Sequence, residues 1–189
     1  MNIVCLLGSP RENGNSATLA RRVMESAARL GATTRTFTLN RLSYRGCQGC
    51  YACKGELDRC VLEDDLAEVL RAVAGADLLL LATPVYYGDI SGQLKCFIDR
   101  CFSFLKPDYL KSREPSRLSP KRLAMVLTQG HPDEGLFADI FPRYSGFLGW
   151  MGFRQGRLLR GCGIGPATVD RVPEELLIKA DELARELVG

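Results

Sequence analysis

Four cysteines are concentrated in one short stretch of the chain. Cys47, Cys50, Cys53 and Cys60 fall within fourteen residues, with two, two and six residues between successive cysteines, and they are half of the eight cysteines in the sequence. Four thiolates are the ligand set of a [4Fe–4S] cluster. The two short gaps would let one loop supply three ligands, while the longer gap lets the chain return with Cys60. This spacing favours a cluster on these four cysteines.

Other chemistries remain open for this stretch. A structural zinc ion also takes four cysteines, although such sites usually draw them from two separated pairs. A dithiol pair such as Cys50 and Cys53 could exchange with a disulfide, or the four thiols could be unreactive. The remaining cysteines lie in apolar or loop contexts, which predicts ordinary packing: Cys5, Cys96, Cys101 and Cys162.

A second candidate site is the polar loop SPRENGNS, which follows the apolar stretch at residues 2–7 and precedes a helical pattern. The apolar stretch predicts a buried strand. The free N–H groups at the start of a helix bind phosphate well. Ser9, Arg11, Asn15 and Ser16 would add side-chain donors to them.

The phosphate in question is not that of a nucleoside triphosphate. Gly8 and Gly14 are separated by five residues rather than four, and Asn15 stands where the lysine of a P-loop belongs. The loop does not match G-x-G-x-x-G either, which disfavours a dinucleotide. Uncharged donors with one arginine suit the monophosphate of FMN. The alternative is an ordinary polar loop with Ser16 or Asn15 as the helix cap.

A third loop, residues 83–93, leaves the apolar strand LLLLA at residues 78–82. In a sheet of order 2-1-3-4-5, ligands bind beyond the carboxyl ends of strands one and three, so this loop would lie beside the phosphate loop. Tyr86 and Tyr87 would then flank a flat ring, unless they are half-buried packing residues. The candidate FMN-binding residues of this loop are Thr83, Pro84, Val85, Tyr86, Tyr87 and Gly88.

The strand predicted at residues 123–128 ends in TQGHPDEG at the same edge of the sheet. Its glycine-containing backbone could approach a flavin ring, which makes Thr128, Gln129 and Gly130 candidate binding residues. His131 is the only histidine of the chain. A single histidine in a turn is more typical of a surface residue than of a ligand.

The remaining elements complete an alternating pattern. Strands are also expected at residues 33–39 and 157–159, and a helix beginning at Leu136 should be kinked or split by Pro142. We expect a solvated polar connection at residues 106–122, a loop at residues 161–166 and a final helix from residue 173 onward. FLGWMGF, residues 147–153, predicts either core or a subunit contact.

Five strands alternating with five helical patterns predict an α/β, flavodoxin-like, doubly wound five-stranded parallel sheet of order 2-1-3-4-5. We expect residues 1–189 to form a single domain, with a cysteine-rich insertion at residues 47–60. Hydrophobic residues make up 46% of the chain, which is enough for a sizeable core. The 189-residue length fits one such domain.

Composition excludes two classes of partner. The net charge is +3, with no long basic run, so nucleic acid is not expected. No apolar stretch approaches the roughly 18 residues that span a bilayer, so no membrane association is expected. The first residues lack the charged region of a secretory signal. We therefore expect a cytoplasmic protein whose cysteines stay reduced.

Three stretches together resemble the NADPH-dependent FMN reductase-like family of flavodoxin-fold proteins: GSPRENGNS, TPVYYGDISGQLKCFIDR and the TQG after strand four. The spacing C-x2-C-x2-C-x6-C resembles the iron–sulfur flavoprotein branch. The resemblance implies FMN held by Ser9, Arg11, Asn15 and Ser16 at its phosphate and by residues 84–88 near its ring. It also implies a homodimer or homotetramer, and a [4Fe–4S] cluster on the four clustered cysteines.

The function expected from these features is an FMN-dependent oxidoreductase or electron-transfer flavoprotein. Electrons would pass from NAD(P)H or a ferredoxin through FMN and the cluster to a small-molecule or protein acceptor. No side-chain acid or base is required for hydride transfer, because the flavin carries the chemistry. The alternatives are a cluster-free NAD(P)H:flavin or quinone reductase, a flavodoxin-type carrier without enzymatic activity, and a zinc-stabilised binding module.

Overall fold

The computed structural model describes residues 1–165 and 172–189, and in these residues five parallel strands pair in the order β2-β1-β3-β4-β5. The strands are β1 Asn2–Leu7, β2 Thr33–Thr38, β3 Leu78–Pro84, β4 Lys121–Thr128 and β5 Phe153–Gly161. The α-helices are α1 Asn15–Arg29, α2 Asp65–Gly75, α3 Gly92–Arg100, α4 Ile140–Trp150 and α5 Glu174–Val188. The predicted flavodoxin-like fold and strand order are confirmed.

The central strand β3 is buried on both faces. Leu79 and Leu81 pack on the side of α2, α3 and α4, whereas Leu78 and Leu80 pack on the side of α1 and α5. All four leucines have no exposed surface. Each such side chain stabilises the fold by about 1.5–3 kcal/mol, and the uninterrupted apolar run follows from the two covering layers.

Both outer strands differ from their predicted lengths. β2 ends at Thr38, because the buried Leu39 already begins a short 3-10 turn, Leu39–Arg41. β5 extends over Phe153–Gly161, well beyond the predicted residues 157–159. Among residues 1–165 and 172–189 it pairs only with β4, at the edge of the sheet, so it tolerates the arginines and the glycine that obscured most of it in the sequence.

The prediction for the fourth helix was wrong at its start. α4 begins at Ile140 and continues without interruption to Trp150. Pro142 is the third residue of this helix, in the first turn, where a backbone N–H has no intrahelical acceptor to lose. Leu136 and Phe137 precede the helix, and Phe137 has a positive φ of 64°.

Residues 106–120 form turns rather than a simple excursion into solvent. Leu105 and Ser116 pair in an antiparallel bridge, and β4 starts two residues earlier than predicted, at Lys121. Gly161 closes β5, residues 162–165 are irregular, and Pro166 at the end of the predicted loop lies outside the described residues. Within the described chain, no helix combines the length and the apolar character needed to cross a bilayer.

Candidate functional site

The carboxyl ends of β1 and β3 and the start of α3 are joined at Gly8. The N–H of Gly8 donates to the carbonyl of Ala82 (2.8 Å), and its carbonyl accepts from Ser91 Oγ (2.7 Å). The N–H of Ser91 in turn donates to Thr83 Oγ1 (3.0 Å). A Cβ on Gly8 would lie 2.8 Å from Ser91 Oγ and 2.9 Å from Leu94 Cβ. Only glycine fits this junction, from which the phosphate loop begins.

The phosphate loop leads into an open helix N-terminus. The buried Ser9 accepts the N–H of Arg11 on its Oγ (3.1 Å), and Gly14 donates to the carbonyl of Arg11 (3.2 Å). Among the described residues no side chain caps α1, and its first turn carries no acidic residue. Its free N–H groups and positive dipole end therefore remain available to an anion. Ser16 is buried in that first turn.

Asn15 links the phosphate loop to a second loop. Its side-chain amide donates to the carbonyl of Ile164, in the loop after β5. In this geometry Asn15 joins the start of α1 to that loop, and its contact with a phosphate stays a prediction. Arg11 is exposed at the loop, so its guanidinium is accessible from solvent.

The β3–α3 connection forms a tight turn that displays Tyr87. Val85 N–H donates to the carbonyl of Thr128 (2.7 Å), and Tyr86 and Asp89 exchange backbone hydrogen bonds of 2.8 and 3.0 Å. Tyr87 and Gly88 at the tip have φ values of 48° and 80°. The side chain of Tyr87 is fully exposed, so packing within this chain does not explain it. A tyrosine in the left-handed region costs about 1–3 kcal/mol and is typical of binding sites.

Asp89 connects this turn to α4. Its Oδ1 accepts from the Tyr144 hydroxyl (2.8 Å), and its Oδ2 lies 3.4 Å from Arg143 Nη1. Burial, reinforced by the hydrogen bond to Asp89, raises the pKa of Tyr144, so this hydroxyl stays protonated. The contact orients the turn that carries Tyr86 and Tyr87.

The loop after β4 is shaped by the side chain of Gln129. This buried amide donates to the carbonyls of His131 and Asp133, both at 2.9 Å, and accepts from Arg160 Nη2 (2.5 Å). Gln129 therefore supports the loop, and the backbone is left to approach a ligand. Thr128 is buried, and a Cβ on Gly130 would have only an ordinary contact with Gly165 (3.6 Å). The exposed His131 accepts the N–H of Asp133 on Nδ1 (3.1 Å), as a turn residue would.

The four clustered cysteines line one cavity of about 690 Å³. Cys47 and Cys50 are exposed, Cys53 and Cys60 are partly buried, and all four are free thiols. The opposite wall comes from α3, α4 and the residues that follow them, and is mainly apolar: Ile98, Phe102, Phe147 and Met151. The structure thus directs the predicted ligand set to one space.

The number and type of these donors fit a four-thiolate group. In residues 1–165 and 172–189, no three cysteine, histidine or acidic side chains stand close enough to share a metal ion. The four ligands of a [4Fe–4S] cluster each bind a different iron, so they need not share one ion. Two residues between them already have positive φ values, Gly49 (63°) and Tyr51 (57°), so the backbone of this segment is tightly curved.

Arg100 holds the two ends of the cysteine segment together. Its buried guanidinium donates through Nη1 to Asp64 (2.5 and 2.7 Å) and to the carbonyl of Arg45 (3.3 Å), and through Nη2 to the carbonyl of Leu62 (3.0 Å). Asp64 also accepts the N–H groups of Arg45 and Leu66 (both 3.1 Å). Burial opposes the ionisation of Asp64, but Arg100 and these N–H donors hold its pKa below the usual value.

Lys54 and Arg117 hold the middle of the segment. Lys54 Nζ donates to the carbonyls of Phe102 (2.6 Å) and Leu105 (2.8 Å), and lies 3.6 Å from Cys53 Sγ. Arg117 donates to the carbonyls of Cys53 (3.3 Å) and Leu105 (3.2 Å). Burial lowers the pKa of Lys54, and the neighbouring Cys53 opposes that shift. The connection predicted to be a solvated loop therefore serves as a support for the cysteine segment.

Several of these contacts were absent from the sequence-based site. Asp89, Tyr144, Arg100 and Asp64 are ordinary helix or turn residues in the sequence, and nothing in their spacing marks them. Lys54 was identifiable only by its position beside Cys53. The three predicted FMN loops do lie at the same edge of the sheet, as the hydrogen bonds from Gly8 to Ala82 and from Val85 to Thr128 show.

Comparison with known proteins connects this geometry to a family. The family model for NADPH-dependent FMN reductases matches residues 1–141. An iron–sulfur flavoprotein of Methanocaldococcus jannaschii is 37% identical over 100 residues, which are 53% of this chain and 51% of that protein. One of Methanosarcina thermophila is 32% identical over 120 residues, 63% and 62% of the two chains. The matches to these two relatives span about half to three fifths of the relatives' own length.

Solved structures share the fold. An FMN-dependent NADH-azoreductase of Bacillus anthracis in complex with FMN superposes with a TM-score of 0.74 at 16% identity, and covers 100% of both chains. An NAD(P)H:quinone oxidoreductase of Methanothermobacter marburgensis gives 0.75 at 20% identity, over 100% of this chain and 96% of the other. The family match covers most of the chain and all three candidate loops. This chain belongs to the NADPH-dependent FMN reductase family.

Proposed function

We propose that the chain is an FMN-dependent oxidoreductase that accepts electrons from NAD(P)H or a ferredoxin and passes them to a [4Fe–4S] cluster and then to a small-molecule or protein acceptor. One observation carries the flavin part of the proposal. The uncapped start of α1 lies beside the strained, exposed Tyr87 turn, at the point where the strand order of the sheet reverses.

The chain's own residues would bind and orient the cofactor. Ser9, Ser16 and the first N–H groups of α1 would hold the phosphate, with Arg11 closing over it from solvent. Residues 84–88 and the backbone of residues 128–130 would flank the ring, with Tyr87 exposed to it. Bound FMN supplies both one-electron and two-electron chemistry.

The cluster part of the proposal rests on the cysteine segment. Cys47, Cys50, Cys53 and Cys60 share one cavity, and relatives in this family are named iron–sulfur flavoproteins. Their thiolates would be the ligands. A second candidate function is a cluster-free NAD(P)H reductase of flavins or quinones, which the family match supports without any metal.

We also propose that the protein acts as a homodimer or homotetramer. Phe147 and Trp150 on α4 are 58% and 55% exposed, which is unusual for two large aromatic side chains on one helix. Phe147 also lines the cavity of the cysteines. A second copy covering this helix would remove both side chains from water.

The test is anaerobic purification of the full chain, followed by a visible spectrum and assays for iron, sulfide and zinc. We expect FMN together with about four irons and four sulfides per chain. A protein that contains flavin but no iron would support the cluster-free reductase. A protein that contains zinc but no iron would mean that the four cysteines bind a structural zinc ion. A colourless protein that takes up no FMN would overturn the redox proposal altogether.

Two further measurements separate the roles. Stopped-flow mixing with NADPH, NADH or a reduced ferredoxin identifies the electron donor. If none of the three reduces the bound flavin, the protein is an electron carrier that another partner reduces. Cys47→Ala should lose iron but keep FMN, because the thiols and the phosphate loop lie on different segments. Equal loss of FMN in this variant would show that the two sites depend on each other.

A further inference from the structure

Lys54 places a positive charge against one of the four clustered thiols. Its Nζ lies 3.6 Å from Cys53 Sγ, within hydrogen-bonding range for sulfur. Its other acceptors are the uncharged carbonyls of Phe102 and Leu105, and its ammonium lies 4.1 Å from the centre of the Phe102 ring. Among the described residues, no carboxylate forms an ion pair with it. The charge is therefore directed toward the thiol without compensation from an acid.

The same contacts immobilise Cys53. Lys54 bonds to the carbonyls at the end of the short helix Cys101–Phe104, and Arg117 holds the carbonyl of Cys53 itself (3.3 Å). Cys47 and Cys50, in contrast, are exposed. Cys53, like the partly buried Cys60, is therefore held in place before any group binds, and Lys54 is held beside it.

We propose that Lys54 is a positioning residue that holds Cys53 in place and raises the reduction potential of the group bound by the four thiols. This inference rests on the proposed iron–sulfur function. Adding one electron makes the cluster more negative, so a nearby ammonium that donates N–H···S stabilises the reduced form more than the oxidised form. The effect is strengthened by the partly buried surroundings, where charges are screened less than in water.

The experiment is an anaerobic redox titration of the full chain loaded with FMN and cluster, followed by visible and electron paramagnetic resonance spectra. Lys54→Met should weaken reduction of the cluster about tenfold, a shift of about 59 mV to more negative potential for one electron. Lys54→Arg should restore most of the wild-type potential. Lys111→Met is the control, because it removes the same charge from an exposed site on the nearby connection. Equal potentials in Lys54→Met and Lys111→Met would overturn the inference.

Iron content distinguishes the remaining outcomes. If Lys54→Met binds less iron, the Lys54→Arg variant distinguishes the two explanations. Iron retained in Lys54→Arg at the wild-type potential supports the role of the charge. Loss of iron in Lys54→Arg as well would mean that Lys54 acts only by packing, and would overturn the inference. A wild-type protein without iron removes the cluster from the proposed function. Iron present with unchanged potentials removes only the role of Lys54.

Discussion

Single residues at the ends of β1 and β3 determine whether the candidate flavin site can form. Gly8 has a side-chain oxygen, a Cβ and a carbonyl within 3.2 Å of the place where its own Cβ would be. Tyr87 is the opposite case, since its side chain contacts nothing here while its backbone is strained. The fold therefore requires Gly8, whereas Tyr87 lowers the stability of the fold.

Gly8→Ala should destabilise the protein and weaken FMN binding. The added methyl must displace Ser91 or Leu94, which costs about 1–3 kcal/mol and moves the start of the phosphate loop. Urea unfolding and an FMN fluorescence titration would measure the two effects. Gly92→Ala is the control, since its Cβ would meet nothing within 4 Å. Similar results for both variants would contradict the tight junction.

Tyr87→Gly should separate stability from binding. Relief of the positive φ offsets the flexibility of glycine, so the flavin-free protein should be unchanged or more stable by up to about 1 kcal/mol. FMN affinity should fall, because the exposed ring is lost. Tyr86→Gly, at a position without positive φ, should instead lower stability by about 0.5–1 kcal/mol. Thermal unfolding without flavin and calorimetric titration with FMN would show whether Tyr87 serves binding.

The residue types in the sequence indicated where a ligand could bind, but not which atoms each side chain would contact. Asn15 and Gln129 are predicted to bind the cofactor, and in the structure their amides also donate to backbone carbonyls of neighbouring loops, which the sequence did not indicate. The partner of Asn15 is 149 residues away, so it comes close only after the sheet has formed and no local pattern reveals it. The partners of Gln129 are two and four residues away, but Arg160 of β5, distant in the sequence, also donates to Gln129.

Among the elements, the cysteine segment and the helix pair α1–α5 are each held by a charged contact. Arg100 of α3 holds the segment at Arg45, Leu62 and Asp64. On the other face of the sheet, Asp181 of α5 accepts from Arg22 of α1 through two hydrogen bonds of 2.8 and 2.7 Å. Both contacts join elements that are distant along the chain.

Arg100→Met should destabilise the protein by about 3 kcal/mol, because removal of one partner of a buried pair leaves Asp64 uncompensated. Lys95→Met, on the same helix, breaks the exposed pair with Asp99 and should cost less than about 1 kcal/mol. Urea unfolding compares the two variants. An equal cost would mean that the buried pair contributes no more than a surface one.

Acid should weaken the contact between α1 and α5. Hydrogen bonds from Arg22 and then Ser26 lower the pKa of Asp181 to about 2, against about 3.9 in the unfolded chain. The contact therefore stabilises the fold fully above about pH 4, and this contribution is lost as the pH falls toward 2. Asp181→Asn should show a shallower loss of unfolding free energy between pH 5 and 2 than wild type. Glu182→Gln, an exposed neighbour on α5, should keep the wild-type slope.

Most elements could be predicted from periodicity, since β3 is an unbroken apolar run and α2 an amphipathic helix with Asp64 as its cap. β5 could be predicted only over residues 157–159, because the polar residues of an edge strand mask the alternation in the rest of it. The start of α4 could not be placed either. A proline disrupts the interior of a helix but is compatible with its first turn, so Pro142 fits both a split helix that begins at Leu136 and a helix that begins just before the proline. Only the position of the true N-terminus, at Ile140, decides between these roles.

At the scale of the whole molecule, α4 presents two large aromatic side chains to solvent. Phe147 and Trp150 are exposed on this helix while Tyr144 and Leu148 are buried against the sheet. The sequence predicted that residues 147–153 would be core or a subunit contact. In the structure Leu148 and Phe153 are core, and Phe147 and Trp150 are left for another surface.

Trp150, the only tryptophan in the chain, would report assembly directly. If two copies meet at α4, its emission should shift to shorter wavelength as protein concentration rises, in parallel with the mass from analytical ultracentrifugation. Phe147→Glu should keep the protein monomeric, whereas Ile178→Glu, at an exposed position on α5, should not. A monomeric mass at every concentration would contradict the proposed homo-oligomer.

The hydrogen bonds from Arg100 to Arg45, Leu62 and Asp64 also bear on how this fold could acquire or lose a redox group. Because Arg45 and Leu62 are held at one place, the backbone between them begins and ends at fixed points independent of its own length. Doubling the length of such a loop adds only about 0.6 kcal/mol of closure entropy. Within residues 46–61, Lys54 and Cys53 add contacts to the residues after α3 and to Arg117. We therefore expect changes in the length or the thiols of this segment to alter those contacts but to leave the sheet and the phosphate loop intact.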